Sequence, residues 1–445
     1  MQKLKNILFI LFLLNFLNYC SGKIYDIYRA VKNNNLQDIQ ECLDNGININ
    51  SKDYNGSTPL IYAVKNSNTS LMQYLLSKGA DINMPDSSGK TSIMHAAING
   101  KIDVAKFLLQ QANCNLNLQD NSGQNALMHA SINGNLEILQ MLAGRGLDVN
   151  TKDNSGKTAI MYAIVNKKIN IINYLLTKNI KINLKDNFNK NILMYAAEKA
   201  DFEIAKKIVS KGVAVNDKDN AGNTALIYAI KSKNDLIVSL LLSNGANANI
   251  KDKNGKTALM LACETGKKKI VKLLLPRGVN VNEKDNSQST ALSYAISAGS
   301  SSVASLLIAS GANVNVKDKN GKTALMLACE KKKKKLVDLL LARGVNINEK
   351  DNVGKTALIY AADKSDSTIF KALLARGANA NVKDNTGKTS LIYAAKSGRI
   401  ENITLLVPKG VNINEVDKQK KSALDYAQEN EYEDVASYLE RLGAK

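Results

Sequence analysis

The sequence predicts an all-α repeat solenoid of about twelve units behind an N-terminal cap. Three observations carry that fold class. A period of 33 residues runs through nearly the whole chain. Inside each period a turn signal, two stretches of helically spaced apolar residues and a closing glycine recur in the same order. The 445 residues are 44% hydrophobic, yet Trp is absent and aromatics make up 5%, so the core is aliphatic and rich in alanine. A chain this long exceeds the roughly 100–200 residues of an ordinary domain, which an extended array accommodates.

The N-terminus differs from the rest. Lys3 and Lys5 precede the apolar run ILFILFLLNFL from Ile7 to Leu17. That run is too short to cross a hydrocarbon layer of about 30 Å as a helix. A basic start, a short apolar stretch and then Ser21 and Gly22 read as an export signal over residues 1–22. Cys20 follows Leu17-Asn18-Tyr19 and resembles the cysteine of a loose lipoprotein box, acylated after cleavage. Ordinary cleavage near Gly22 is the alternative and gives a soluble exported chain. Both place the protein in the periplasm, at the cell envelope or in the medium. Residues 23–52 form a cap: Tyr25 to Gly46 has the two-helix pattern without a leading turn.

From residue 53 the ruler is regular. Thr58, Thr91, Asn125, Thr158, Asn191, Thr224 and their successors to Ser422 are 33 apart, except for one step of 34 from Thr91 to Asn125. An aspartate stands five positions before each, from Asp53 to Asp417. The unit from Asp252 reads DKNGKTALMLACETGKKKIVKLLLPRGVNVNEK. DKNG is a turn in which Gly255 supplies positive φ. Asn189 fills that slot acceptably, whereas Gln288 and Lys420 fit it less well. Thr257 caps a first helix with Leu259, Ala262 and Cys263 on one face, and Pro59 opens the first helix of the first unit. A break near Gly266 leads to a second helix with Ile270, Val271, Leu273, Leu274 and Leu275 on its apolar side, ended by Gly278. VNVNEKD then alternates into the next turn. Residues 417–445 are a charged C-terminal cap, since terminal repeats need a polar outer face.

This grammar resembles the ankyrin repeat. The matching residues are D-x-x-G-x-T-A-L at each start, L-L-x-x-G in the second helix, and A/V-x-V/I/A-N before the next turn, over residues 25–445. The resemblance implies helix-turn-helix units with β-hairpin tips over residues 53–416, a concave face that takes partners, and hairpin tips as further contact points. At about 10 Å per repeat the array would extend roughly 120 Å. One feature departs from the family. The slot after T-P-L, usually His, holds Met260, Ile227, Ser293 or Asp425, and the aromatic stands one place later. The inter-repeat bonds of that His are therefore in question. A longer period also appears: the units from Asp252 and Asp318 are near copies 66 residues apart, and those from Asp219, Asp285 and Asp351 resemble one another. The alternation predicts a surface charge pattern repeating every second repeat.

Gly-Lys-Thr occurs six times and invites a nucleotide-binding reading. The phosphate loop needs glycine five residues earlier, where Met84, Thr151, Ile250, Val316, Glu349 and Val382 stand. Its recurrence marks the period instead. His95 and His129 are the chain's two histidines and fill the aromatic slot. No catalytic, cofactor or metal site is expected, and no small-molecule substrate. Beyond Cys20, no Cys pair has CxxC spacing. Cys263 and Cys329 lie two repeats apart, about 20 Å, too far to bridge.

The expected partner is a protein, and the chain is expected to be a monomer. The aromatic column, with Tyr162, Tyr195 and Tyr228, is either an exposed ladder on the concave side or a set of rings packed between repeats. Tyr54 and Phe188 stand at hairpin tips where other units carry Asn, Ser or Lys. Lys267, Lys268 and Lys269, and Lys331, Lys332, Lys333, Lys334 and Lys335, crowd the starts of two second helices, where positive charge opposes the helix dipole. With a net charge of +20, these form a solvated edge of a Lys-rich chain or, alternatively, a docking surface for anionic lipid or polysaccharide. No aromatic interleaving supports base stacking, which argues against nucleic acid.

Overall fold

A computed structural model describes residues 27–364 and 367–445, without the side chain of Lys364. The export signal and Cys20 lie outside the described residues. The described chain divides after Ala214 into two compact units. In the first, the helix over 27–32 and Leu36–Asp44 form the leading pair, followed by pairs that begin with Pro59–Lys65 and Thr69–Ser77. In the second, pairs run from Ala225–Lys231 and Asp235–Ser243 to Ala423–Glu429 and Glu433–Arg441. Among the described residues no helix is long and apolar enough to cross a membrane.

Each first helix has seven or eight residues, as in Pro59–Lys65 and Ser92–Asn99. Isolated helices below about 12–15 residues are marginal in water, so tertiary contact must hold these. Several of their starts follow the predicted chemistry, though the hydroxyls of Thr91 and Thr158 make no cap bond. Pro59 opens its helix, and the Thr58 hydroxyl accepts the Ile61 N–H at 3.3 Å. The second helix Lys268–Leu274 stops at Pro276, which cannot continue the donor series. A 3-10 turn over Leu275–Arg277 then ends at Gly278 with φ 66°.

Neighbouring first helices stack through alanine. Ala229, Ala262, Ala295, Ala328, Ala361, Ala394 and Ala427 occupy one column, none more than 1% exposed. Behind them the second helices bury Ile270, Val271 and Leu274 and their equivalents. Cys263 sits in this core and forms no disulfide. Burial pushes its thiol up to about 12.

The tips are narrower than β-hairpins. Among the described residues there is no strand, only an isolated antiparallel bridge between Lys185 and Asn191. The Asp side chain explains this. Asp252 N donates to Lys256 O at 3.0 Å, but the return bond, from Lys256 N, goes to Asp252 Oδ1 at 2.9 Å. The side chain thus replaces the second rung of a ladder. Gly255, at φ 75°, meets both demands placed on it. A Cβ there would lie 2.5 Å from Asn286 Oδ1 and 2.9 Å from Asn286 N in the next repeat. Gln288 and Lys420 nonetheless adopt the same left-handed conformation, φ 60° and 61°. Nothing in the structure explains either substitution.

One core position breaks the pattern. Asn402 is 1% exposed, where other repeats place Ile270, Val303, Leu336, Ile369 and Val435. Neither its Oδ1 nor its Nδ2 has a hydrogen-bond partner. A buried unsatisfied amide costs about 1–3 kcal/mol. Asn402→Ile should therefore raise stability by about that amount, seen as a higher urea midpoint; an unchanged or lower midpoint would show that the amide is satisfied.

Candidate partner-binding surface

The aromatic column is built from the turn upward. Where Tyr or His fills the aromatic slot, the turn Asp divides its two oxygens between two tasks. Oδ1 of Asp384 accepts the N–H groups of Thr386 and Lys388 at 2.8 and 2.9 Å and so holds the turn. Oδ2 accepts the hydroxyl of Tyr393, nine residues on, at 2.7 Å. The same bond joins Tyr62 to Asp53, Tyr162 to Asp153, Tyr195 to Asp186, Tyr228 to Asp219, Tyr294 to Asp285, Tyr360 to Asp351 and Tyr426 to Asp417. His95 and His129 take the place of Tyr, each with Nε2 2.9 Å from Asp86 or Asp120. The aromatic slot thus makes an intra-repeat bond that locks the first helix to its own turn.

Burial and the carboxylates hold the phenols in their protonated form. Tyr62 and Tyr162 are pushed up to about 12, by desolvation first and then by their Asp partners. Burial alone would raise Asp86, but the N–H of Lys90, the Ser88 hydroxyl and His95 outweigh it and bring it to about 2. Asp417 is likewise brought to about 2, with Lys388 and Tyr426 opposing the effect of burial. His95 and His129 sit close enough to Asp for ion pairs, but burial lowers both imidazoles and outweighs the carboxylates. They therefore act as neutral donors through Nε2.

The lysine of Gly-Lys-Thr also has a defined place. Lys256, Lys355 and Lys388 lie 4.4, 4.4 and 5.3 Å from the ring centroids of Tyr294, Tyr393 and Tyr426 in the following repeat. Such contacts contribute about 0.5–1 kcal/mol at exposed sites. Lys388 also reaches Asp417 Oδ2 at 3.0 Å. The recurring motif is a stacking device.

A second column shows in the sequence only as a recurring Asn, without its role. The Asn before a turn can clamp the next repeat: Asn282 Nδ2 donates to Gly311 O at 3.0 Å, and its Oδ1 accepts from Asn313 N at 2.7 Å. Asn50, Asn150, Asn216, Asn348 and Asn414 do the same. Composition conceals the role, because Asn is abundant everywhere. Its strict recurrence at one slot was the available signal. The 66-residue alternation appears as ion pairs between repeats, Lys251–Glu283, Lys317–Glu349 and Lys383–Glu415, at 2.6, 2.7 and 2.6 Å.

The predicted contact residues differ in exposure. Tyr54 is 92% exposed and Phe188 61% exposed. Val353, at the Phe188 slot of another tip, is 53% exposed and was not singled out from sequence. Tyr162 and Tyr228 are half-buried, and Tyr195 is 5% exposed. Lys267, Lys268, Lys269, Lys331, Lys332, Lys333 and Lys335 are exposed, and Lys334 is half-buried. Lys269 pairs with Asp235 and Lys334 with Asp338. The dipole conflict is smaller than the sequence suggests. Lys331 is the C-cap of Ala324–Glu330, where positive charge is favourable, and only Lys333 and its successors start the next helix.

Helix pairs joined by tight Asp turns and stacked in register define a repeat-array protein. Matches to the family model described as "Ankyrin repeats (3 copies)" cover residues 27–120, 110–186, 181–252, 233–318, 303–384 and 364–445, and the chain belongs to the ankyrin-repeat family. No curated protein matches it.

The titrations predict acid unfolding in two steps. His95 and His129 have folded values below the 6.5 of the unfolded chain, so their contribution is complete above 6.5 and fades as pH falls below it. Asp86 and Asp417 have folded values near 2 against 3.8 unfolded, so theirs is complete above 3.8 and is lost as pH falls toward 2. Urea midpoints measured against pH should show both steps. The double variant His95→Tyr/His129→Tyr should lose only the upper one; an upper step that persists would place its origin elsewhere.

Proposed function

We propose that the protein is a non-enzymatic protein-binding scaffold outside the cytoplasm, which holds its partner on the first-helix face and the turn tips. The observation that carries this is the pair of tip aromatics. Tyr54 and Phe188 stand 92% and 61% exposed at positions that neither turn formation nor stacking requires to be aromatic. Large exposed aromatics bring contact area at low entropic cost and dominate interface energetics. Membership of the ankyrin-repeat family supports a binding role, while the ligand is set by variable surface positions.

A second reading follows from the exposed lysines at the second-helix starts. Lys267, Lys268, Lys331, Lys332, Lys333 and Lys335 would hold an anionic lipid or polysaccharide. Affinity capture from cell-envelope and host extracts, with wild type and Tyr54→Ala/Phe188→Ala, separates the two. Protein recognition predicts retention at several hundred millimolar salt, where the Debye length falls to about 5 Å, and loss in the double variant. Retention that vanishes with salt and ignores the tips favours charge.

Residues 1–22 support export, with Cys20 as the point of acylation. Metabolic labelling with a fatty acid should mark the native chain and not Cys20→Ala; equal labelling of both would refute an anchor at Cys20.

A further inference from the structure

Two turn carboxylates in the second unit lack the partners that the others have. Asp252 and Asp318 keep the Oδ1 bonds that hold their turns, from Asn254 N and Lys256 N, and from Asn320 N and Lys322 N, all at 2.9 Å. Their Oδ2 atoms have no hydrogen-bond partner among the described residues. The sequence explains why. Leu261 and Leu327 occupy the aromatic slot, so no hydroxyl reaches the carboxylate. The preceding repeat offers Asn223 or Ser289 where a Gly-Lys-Thr lysine otherwise stands. Asn223 turns back onto Asp219, at 3.1 and 3.3 Å, and accepts from Lys231 at 2.8 Å. As a result Asp252 and Asp318 are partly exposed, whereas Asp219, Asp285, Asp351, Asp384 and Asp417 are buried.

The array itself displays what such a carboxylate accepts. At another seam Lys388, reaching forward from the preceding repeat, sits 3.0 Å from Asp417 Oδ2. At a third, Lys90 lies 3.8 Å from Asp120 Oδ2. We infer that Asp252 with Leu261, and Asp318 with Leu327, are paired acceptor sites for cationic side chains of a protein partner, which supply from outside the lysine that these two seams lack. The inference rests on the scaffold reading and names the partner's chemistry. Leu261 and Leu327 offer an apolar floor for the methylene stem of Lys or Arg. The neighbouring Glu264 and Glu330 are already neutralised by Lys256 and Lys322, at 3.1 and 3.0 Å, so the Asp is the unbalanced charge at each site. The net charge of +20 repels a basic partner at long range, but physiological salt screens this beyond about 8 Å. Recognition is therefore by contact and not by steering.

The two sites lie two repeats apart, about 20 Å. An extended chain rises about 3.3 Å per residue, so six residues span them, and an even separation puts both side chains on one face. The partner segment is extended, with Lys or Arg at positions i and i+6.

Fluorescein-labelled ten-residue peptides of one composition, carrying two lysines six or two residues apart, test this by anisotropy titration into the millimolar range at physiological salt. Bridging both sites should make the six-residue spacing at least about tenfold tighter on wild type. Asp252→Asn/Asp318→Asn keeps the Oδ1 acceptor and the turn but should abolish the preference. Leu261→Tyr/Leu327→Tyr, which gives each carboxylate the ring found in other repeats, should abolish it too, with both variants checked for unaltered helicity. Equal binding of the two peptides to wild type, or a preference that survives Asp→Asn, overturns the inference. Wild type that shows no preference yet still retains protein through Tyr54 and Phe188 overturns it while leaving the scaffold reading in place.

Discussion

The close packing of adjacent first helices across a column of alanines is the constraint on which everything else depends. Ala262, Ala295 and Ala328 are wholly buried there, and a larger side chain would force the backbones apart. That spacing sets where the next turn lies. It lets Asn286 N reach Asn254 O at 3.0 Å and Asn282 clamp the residues around Gly311. Seven-residue helices survive because the stacking face, and not helix propensity, holds them.

The basic composition has a different meaning once the contacts are seen. Lys256, Lys355 and Lys388 cover rings of the following repeats, and Lys251, Lys317 and Lys383 pair with the glutamates of theirs. Individually these exposed pairs contribute little, about 0–1 kcal/mol. Repeated along an array they tie each unit to its neighbour. Part of the positive charge therefore serves to join one repeat to the next. Outside that role stand the exposed lysines at the second-helix starts, which is where a polyanion would meet the surface.

The fold was legible because the period is strict. Thr257 as cap, Gly278 as terminator and the buried face of Ile270, Val271 and Leu274 all follow from local rules. The contacts between columns were not legible. Asp and Tyr were each visible as a series, but the bond between Asp384 and Tyr393 depends on how the first helix folds back over the turn. The Asn282 clamp engages backbone 29 and 31 residues ahead, which no window of local pattern covers. The tip aromatics were readable because they break a repeat rule at a position without a folding role. Val353 was missed because an aliphatic residue stands out less than a ring among polar neighbours.

The Asn clamps and Lys256, Lys355 and Lys388 point forward to the following repeat, and this polarity limits how the gene can change length. Lys256 belongs to one kind of unit and the Tyr294 it covers to the other. Slippage that excises 66 residues joins like seams and keeps each donor facing its acceptor. Among the units from Asp219 to Asp318, excision of 33 leaves either a ring without its cover or a cation without its ring, since Asn223 and Ser289 alternate with Lys256 and Lys322 and Tyr228 and Tyr294 with Leu261 and Leu327. Within that stretch side-chain contacts write a parity rule, which lapses from Asp351 onward, where each unit carries both the lysine and the ring.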